Sequence, residues 1–156
     1  MKFWEKYKPY IITTAVVLGL AFLSNILSGG TDAYAYANKP PLSPPPIVFP
    51  IVWTVLYTLM SIAAVIVAKS NDLDKDKALR LFIIQLGINY IWPIIFFGFS
   101  APKIALVWLL LLIVAVLLTT RVFFSVSPVA GWLMVPYILW LFVAFYLNFG
   151  IVALNS

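Results

Sequence analysis

The chain has 156 residues, about the length of one domain, and 64% of them are hydrophobic while only 10% are charged. About a quarter of the residues in a soluble protein are charged, so this composition excludes a water-soluble fold and indicates a protein embedded in lipid. The sequence contains no histidine and no cysteine. Their absence excludes disulfides, thiolate nucleophiles, Cys/His zinc sites and acid–base catalysis by imidazole. We expect no metal site and no required cofactor.

The net charge is +5. In a soluble protein this excess would suggest nucleic acid as a partner. Here the basic residues lie in short segments beside long apolar runs, where Lys and Arg set the orientation of a membrane protein. We therefore expect the lipid bilayer, and no nucleic acid, as a partner.

Five apolar segments are long enough to cross a bilayer, whose hydrocarbon core of about 30 Å needs roughly 20 helical residues. They lack the alternating pattern of membrane β-strands. The sequence therefore predicts an all-α fold, an integral membrane bundle of five transmembrane helices that forms one domain over residues 1–156. The predicted spans are 9–28, 47–68, 79–99, 104–124 and 131–154, with a proline-rich loop at 29–46.

The first span has an alternative interpretation. Three lysines precede it, and alanines at 33, 35 and 37 follow it, as in a cleavable signal peptide. Its apolar stretch is longer than a signal-peptide core of about 7–15 residues. This length favours a helix that spans the membrane.

The distribution of basic residues predicts the orientation. Five spans place the two termini on opposite sides, and eight of the ten Lys and Arg residues fall on the side of the N-terminus. The other two are Lys39, in the proline-rich loop, and Lys103. Because basic residues are concentrated in cytoplasmic loops, we expect the N-terminus in the cytoplasm and the C-terminus and proline-rich loop outside.

The spans contain no acidic residue, and basic residues occur in them only within one turn of an end. Charged residues inside spans mark ion and proton pathways, so an ion-coupled pump or a charge-lined channel is not expected. The spans instead carry neutral polar groups and indoles. These groups suit a pocket for a bulky, largely apolar ligand.

Polar and aromatic side chains share one face of the third span. Gln85, Asn89, Trp92 and Phe96 recur at helical spacing. An amide that faces lipid without a partner is costly, so this face is predicted to point into the bundle. Two interpretations stay open: the amides bond to other helices as packing contacts, or they line a ligand site. Pro93 is predicted to kink the helix one turn beyond Asn89.

A second face of this kind lies in the fifth span, where Trp140, Ala144 and Asn148 repeat every four residues. This spacing suits an indole N–H directed into a cavity, with Ala144 making room. Trp53 and Tyr57 form a comparable pair in the second span. Ligand sites are few per protein, so packing stays open as an alternative role for these aromatic residues.

Residues 38–57 hold six of the chain's 11 prolines and run directly into the second span. A span lies on each side, so this stretch is not a linker between domains, and an accessible polyproline ligand is not expected. Proline lowers the entropy lost on ordering, so we predict a stiff lid over the mouth of the bundle. Pro50 is expected in the first turn of the second helix, or just beyond it, where it would bend the helix before Trp53.

Three blocks carry a resemblance to a known family: "KPPLSPPPIVFPIVWTVLYTLM" at 39–60, "QLGINYIWPIIFFG" at 85–98 and "SPVAGWLMVPYILWLFVAFYLNF" at 127–149. With these blocks the chain resembles, over nearly its whole length, the tryptophan-rich sensory protein (TspO) family. The family is also called translocator protein or peripheral-type benzodiazepine receptor.

The resemblance implies a five-helix bundle, commonly a homodimer, with a pocket open towards the first loop; for a bacterial-type member the location is the bacterial cell membrane. It implies as ligand a tetrapyrrole such as protoporphyrin IX, or another hydrophobic small molecule such as an isoquinoline carboxamide. Carried over residue by residue, the implied ligand-binding residues are Tyr34, Trp53, Tyr57, Asn89, Trp92, Trp140, Ala144 and Leu147.

Two departures from the family pattern are visible. Leu42 stands where many relatives have tryptophan, so one loop contact is expected to differ. The eukaryotic cholesterol-recognition pattern needs a basic residue shortly after a tyrosine, and the corresponding stretch here, "YLNFGIVALNS", has none. Such motifs are weak even when present, and no cholesterol role is expected.

Three functions follow from the resemblance. The leading hypothesis is a membrane receptor or sensor that binds a tetrapyrrole beneath the first loop. An alternative is light- and oxygen-dependent degradation of porphyrin, in which Trp53 and Trp140 would be the catalytic residues that quench or relay radicals. Transport of the tetrapyrrole across the membrane is a third, although the sequence offers neither a coupling-ion site nor an inverted repeat.

Overall fold

The structure, a computed structural model, describes residues 2–29 and 37–155, and every regular element in these residues is helical. Five helices, with the third taken through Gly98, are long and apolar enough to cross a membrane. The prediction of an all-α membrane bundle is confirmed. The helices are α1 (Phe3–Leu27), α2 (Val48–Ala68), α3 (Lys75–Pro93), α4 (Pro102–Val126) and α5 (Pro128–Asn155), and a π-helical segment, Ile94–Gly98, continues α3.

Several helices extend beyond the predicted spans, because apolar composition marks contact with lipid rather than the end of a helix. α1 begins at Phe3, through aromatic and charged residues, and α3 begins at Lys75, through charged residues; both kinds of residue suit the headgroup region. α5 follows α4 almost directly. Pro128 takes its first helical position, where the missing N–H has no partner to lose.

Contacts between the helices give the cross-sectional order α1–α2–α5–α4–α3, with α3 returning to α1. Fully buried alanines such as Ala63 in α2 and Ala130 in α5 let neighbouring backbones approach closely, as is usual between membrane helices. α1 is the least buried helix, with only Val17 and Ser24 buried. Within the described ranges it contacts neither α4 nor α5.

Hydrogen bonds hold α1 to different neighbours at its two ends. In its second half the Ser24 hydroxyl donates to the Tyr90 carbonyl (2.5 Å), and the Tyr90 hydroxyl donates to the Val17 carbonyl (2.7 Å). Near its start, the Lys69 ammonium of α2 donates to the Lys6 carbonyl (3.2 Å). α1 is therefore tied to α3 in its second half and to the end of α2 at its start.

The predicted disturbance at Pro93 is present and takes the form of a π-helical turn. Pro93 has no N–H to donate, and beyond it the helix widens until the Phe99 N–H bonds the Ile94 carbonyl, five residues back, at 2.9 Å. Such turns occur frequently at functional sites. Here the wider turn brings Trp92 and Phe96 into a stacked pair with centroids 5.0 Å apart.

Candidate ligand-binding site

A cavity of about 750 Å³ lies in the half of the bundle that faces the proline-rich segment. Its volume is within the usual range of small-molecule pockets, about 300–1,000 Å³. All five helices and the π-helical segment contribute to its wall. None of the described residues that line it carries a charge, so the cavity is apolar with a few neutral polar groups.

Aromatic rings form one side of the cavity. Trp53 stacks on Tyr57, one turn further along α2, with ring centroids 5.3 Å apart. Tyr137 in α5 makes an edge-type contact with Trp53, with ring centroids 6.1 Å apart. Phe49 and Trp140 form a similar pair with centroids 5.9 Å apart. Offset and edge contacts of this kind are favourable, so the rings hold one another in place without a ligand.

Four polar side chains form a hydrogen-bonded chain from the cavity into the core. The Tyr57 hydroxyl donates to Asn89 Oδ1 (2.8 Å), Asn89 Nδ2 donates to the Tyr137 hydroxyl (2.6 Å), and that hydroxyl donates to Gln85 Oε1 (2.7 Å). All four side chains are buried. The chain joins α2, α3 and α5, so Gln85 and Asn89 do serve as interhelical packing contacts.

The second predicted role for Asn89 is compatible with the first, because its side chain also lines the cavity. Gln85 lies one turn further from the cavity and does not line it. Its Oε1 accepts from Tyr137, whereas its Nε2 is buried without a partner among the described residues. Gln85 therefore belongs to the core rather than to the site.

Two indoles of the site, those of Trp92 and Trp140, differ in what their N–H groups do. Trp92 Nε1 donates to Asn148 Oδ1 (3.2 Å), and Asn148 in turn donates to the Pro102 carbonyl at 3.0 Å. Trp140 Nε1 is buried yet has no hydrogen-bond partner within the part of the chain that the structure describes. A buried donor without an acceptor is costly, so the Trp140 N–H is an unsatisfied donor on a side chain that lines the cavity.

The cavity reaches the outer surface between α1 and α2. Phe22 and Asn25 of α1 and Pro50 and Thr54 of α2 all line it, and all four are exposed. In this half of the bundle the side-chain hydrogen bonds of α1 to a neighbouring helix go to α3. The opening therefore faces the lipid side of the bundle.

The proline-rich segment lies against the end of α5. The Asn155 side chain bonds both the N–H and the carbonyl of Asn38 (3.1 and 2.8 Å), and the Tyr146 hydroxyl donates to the Pro41 carbonyl at 2.6 Å. A side chain at Gly150 would begin only 2.4 Å from Pro40, so glycine is needed for this contact.

Among the described residues of this segment, only those at its end line the cavity. Pro46 and Pro50 line it, and Pro50 lies in the first turn of α2, which decides between the two predicted positions in favour of an unbent start. Leu42 is 96% exposed and does not line the cavity. The segment runs directly into the helix that carries Trp53, and both its stiffness and the lid stay predictions.

Of the eight residues predicted to bind ligand, the structure brings seven together around this one cavity. Their ligand contacts stay predictions. Tyr34 lies outside the described residues. The seven are Trp53, Tyr57, Asn89, Trp92, Trp140, Ala144 and Leu147.

Sequence reasoning missed two contributions. The wall from α1 includes Leu18, Ala21 and Phe22, which are ordinary apolar residues with no signal in the sequence. Tyr137 was missed too, although a tyrosine in the middle of an apolar span needs a hydrogen-bond partner. The need for such a partner could have predicted that Tyr137 lies beside a polar side chain such as Asn89.

The fold and the cavity together define a five-helix integral membrane protein with an uncharged aromatic pocket in one half of the bundle. The profile of the TspO/MBR family matches residues 11–154, and the chain belongs to this family.

Individual relatives agree with the family assignment. The chain is 36% identical to the tryptophan-rich protein TspO of Chlorobaculum tepidum, covering 93% of this chain and 97% of the relative. It is 39% identical to the tryptophan-rich sensory protein of Cereibacter sphaeroides, with 92% and 90% covered. Identity to the human translocator protein is 38%, with 88% and 83% covered.

Proposed function

We propose that this protein is a membrane receptor that binds a tetrapyrrole, such as protoporphyrin IX, or a bulky isoquinoline-type ligand in the cavity. The observation that carries the proposal is the Trp140 N–H, which has no hydrogen-bond partner among the described residues although Trp140 lines a 750 Å³ aromatic cavity. A flat, largely apolar ligand would lie against the rings of Trp53 and Trp140. One polar acceptor on that ligand would take the Trp140 N–H.

The names of the relatives, a sensory protein and a translocator protein, support a membrane receptor role. The opening between α1 and α2 supports a ligand that enters from the bilayer. We propose that the receptor acts as a homodimer in a bacterial cell membrane, with its N-terminus in the cytoplasm.

The proposal is tested by titrating wild type and Trp140→Phe with protoporphyrin IX, using porphyrin absorbance in darkness. Loss of one hydrogen bond to a carboxylate should weaken binding about tenfold. The dimethyl ester of protoporphyrin is the matched control, because a neutral ester accepts a weaker hydrogen bond. The effect of the substitution should therefore be several times smaller with the ester.

Equal losses for acid and ester would show that the substitution acts through ring volume alone. If wild type does not bind protoporphyrin at micromolar concentration, the tetrapyrrole proposal fails.

A second candidate function is light-dependent oxidation of the bound porphyrin. It is favoured by the contacts of Trp53 with Tyr57 and Tyr137, whose ring centroids lie 5.3 and 6.1 Å from that of Trp53. Neighbouring phenols can return an electron to an oxidised indole. In this alternative the excited porphyrin and oxygen supply the oxidant. At saturating porphyrin, Trp53→Phe should then form several-fold less product per bound porphyrin in light than wild type does; equal product per bound porphyrin would exclude a role for Trp53.

A further inference from the structure

A second cavity, of about 400 Å³, lies at the opposite end of the bundle from the ligand-binding site. It is bounded by the start of α3 and the last turns of α4. Its wall combines three charged side chains, Asp74, Lys77 and Arg121, with an apolar side that includes Leu81 and Leu118. No part of the tetrapyrrole proposal uses this cavity.

The charged groups of this cavity form no ion pair with the described part of the chain. Asp74 immediately precedes α3 and Lys77 lies in its first turn, close enough in sequence for the opposite charges to pair. Among the residues that the structure describes, neither makes an ion pair within 4.0 Å, and the same holds for Arg121. The Asp74 backbone N–H is satisfied by Asp72, but the Asp74 carboxylate accepts no hydrogen bond from any described residue. Two cations and one anion thus face a shared space.

The apolar side of the cavity continues into the bilayer. Leu118 is 50% exposed, and Leu111 and Val114 recur on the same face of α4 and are exposed as well. A molecule with its charged end between Lys77 and Arg121 could therefore lay an acyl chain along this face. Basic pockets between membrane helices bind anionic headgroups in this way.

We propose that this cavity binds the headgroup of an anionic phospholipid, with the phosphodiester between Lys77 and Arg121 and an acyl chain against Leu118. Asp74 narrows the choice of headgroup. Its carboxylate repels a dianionic phosphate monoester, whereas it can accept a hydrogen bond from a hydroxyl of a glycerol headgroup. A phosphatidylglycerol-type lipid fits both features. In the predicted orientation the site faces the cytoplasmic leaflet.

Native mass spectrometry of the full chain, released from detergent and titrated with phosphatidylglycerol, phosphatidic acid or phosphatidylcholine, tests this site. Wild type should bind phosphatidylglycerol most tightly. Lys77→Gln and Arg121→Gln should each weaken phosphatidylglycerol binding about fivefold, the contribution of one basic residue near an anionic surface. Asp74→Asn should strengthen binding of phosphatidic acid more than that of phosphatidylglycerol.

Arg80→Gln is the matched control, because Arg80 is an exposed cation one turn from Lys77 that does not line the cavity. It should leave the preference for phosphatidylglycerol unchanged. The site is overturned if Arg80→Gln has the same effect as Arg121→Gln, or if wild type binds phosphatidylcholine equally well. Displacement of the lipid by an equal concentration of glycerophosphoglycerol would show a soluble phosphodiester as the ligand and would overturn the lipid assignment.

Discussion

Replacing Ala144 with phenylalanine is expected to weaken porphyrin binding by up to about 100-fold while the protein stays folded. Ala144 lies in the cavity wall one turn beyond Trp140, so the added ring would extend into space that the ligand needs. Overpacking costs up to about 3 kcal/mol, which corresponds to roughly 100-fold in affinity. The helix itself should tolerate the change, because the ring enters a cavity rather than a filled core. Porphyrin absorbance titration measures the loss of affinity.

Ala153→Phe is the matched control for this substitution. Ala153 is on the same helix, but its side chain is exposed and does not line the cavity. A phenylalanine there should leave both affinity and thermal stability near those of wild type. If Ala144→Phe binds porphyrin with unchanged affinity, the ligand lies elsewhere and the assignment of this cavity is wrong.

The fold was largely predictable because the length of an apolar run is enough to identify a membrane span. What the sequence did not reveal were the ends of the helices. α3 begins at Lys75, four residues before the apolar run, because lipid exposure ends before the backbone hydrogen bonding does. The first span also reads as an apolar helix with few features, whereas the structure shows hydrogen bonds from Ser24 and Tyr90 that join it to α3.

The site was predictable where helical spacing placed several distinctive side chains on one face. Asn89 and Trp92, or Trp140 and Ala144, share a face whatever the packing of the bundle. The partners of these side chains were not predictable, because they come from other helices. Spacing alone could not show that the Trp92 N–H is occupied by Asn148 while the Trp140 N–H has no partner among the described residues.

The buried hydrogen-bonded side chains contribute to keeping the site open. The chain from Tyr57 to Gln85 fixes α2, α3 and α5 around the cavity by side-chain hydrogen bonds. Contacts between apolar helices in lipid provide little specificity, since lipid tails are as apolar as the side chains. The polar chain therefore sets the relative rotation of these helices, and with it the direction of Trp53 and Trp140.

Tyr137→Phe is accordingly expected to lower the free energy of unfolding by about 2 kcal/mol, with little change in volume. Removing the hydroxyl leaves Asn89 Nδ2 without its acceptor and Gln85 Oε1 without its donor. Gln85 Nε2 is already without a partner among the described residues, so the whole buried amide would then be unsatisfied. Unfolding in a denaturing detergent, followed by far-UV circular dichroism, measures the difference.

A second substitution separates this explanation from simple loss of packing. If the cost comes from the stranded amide, adding Gln85→Leu to Tyr137→Phe should recover part of the stability, because the double variant removes that amide. Tyr146→Phe, which removes a hydroxyl whose bond to Pro41 is exposed, should change stability by less than about 0.5 kcal/mol. Additive losses from Gln85→Leu and Tyr137→Phe would mean that the two side chains act independently, and the polar chain would then not set the rotation of the helices around the cavity.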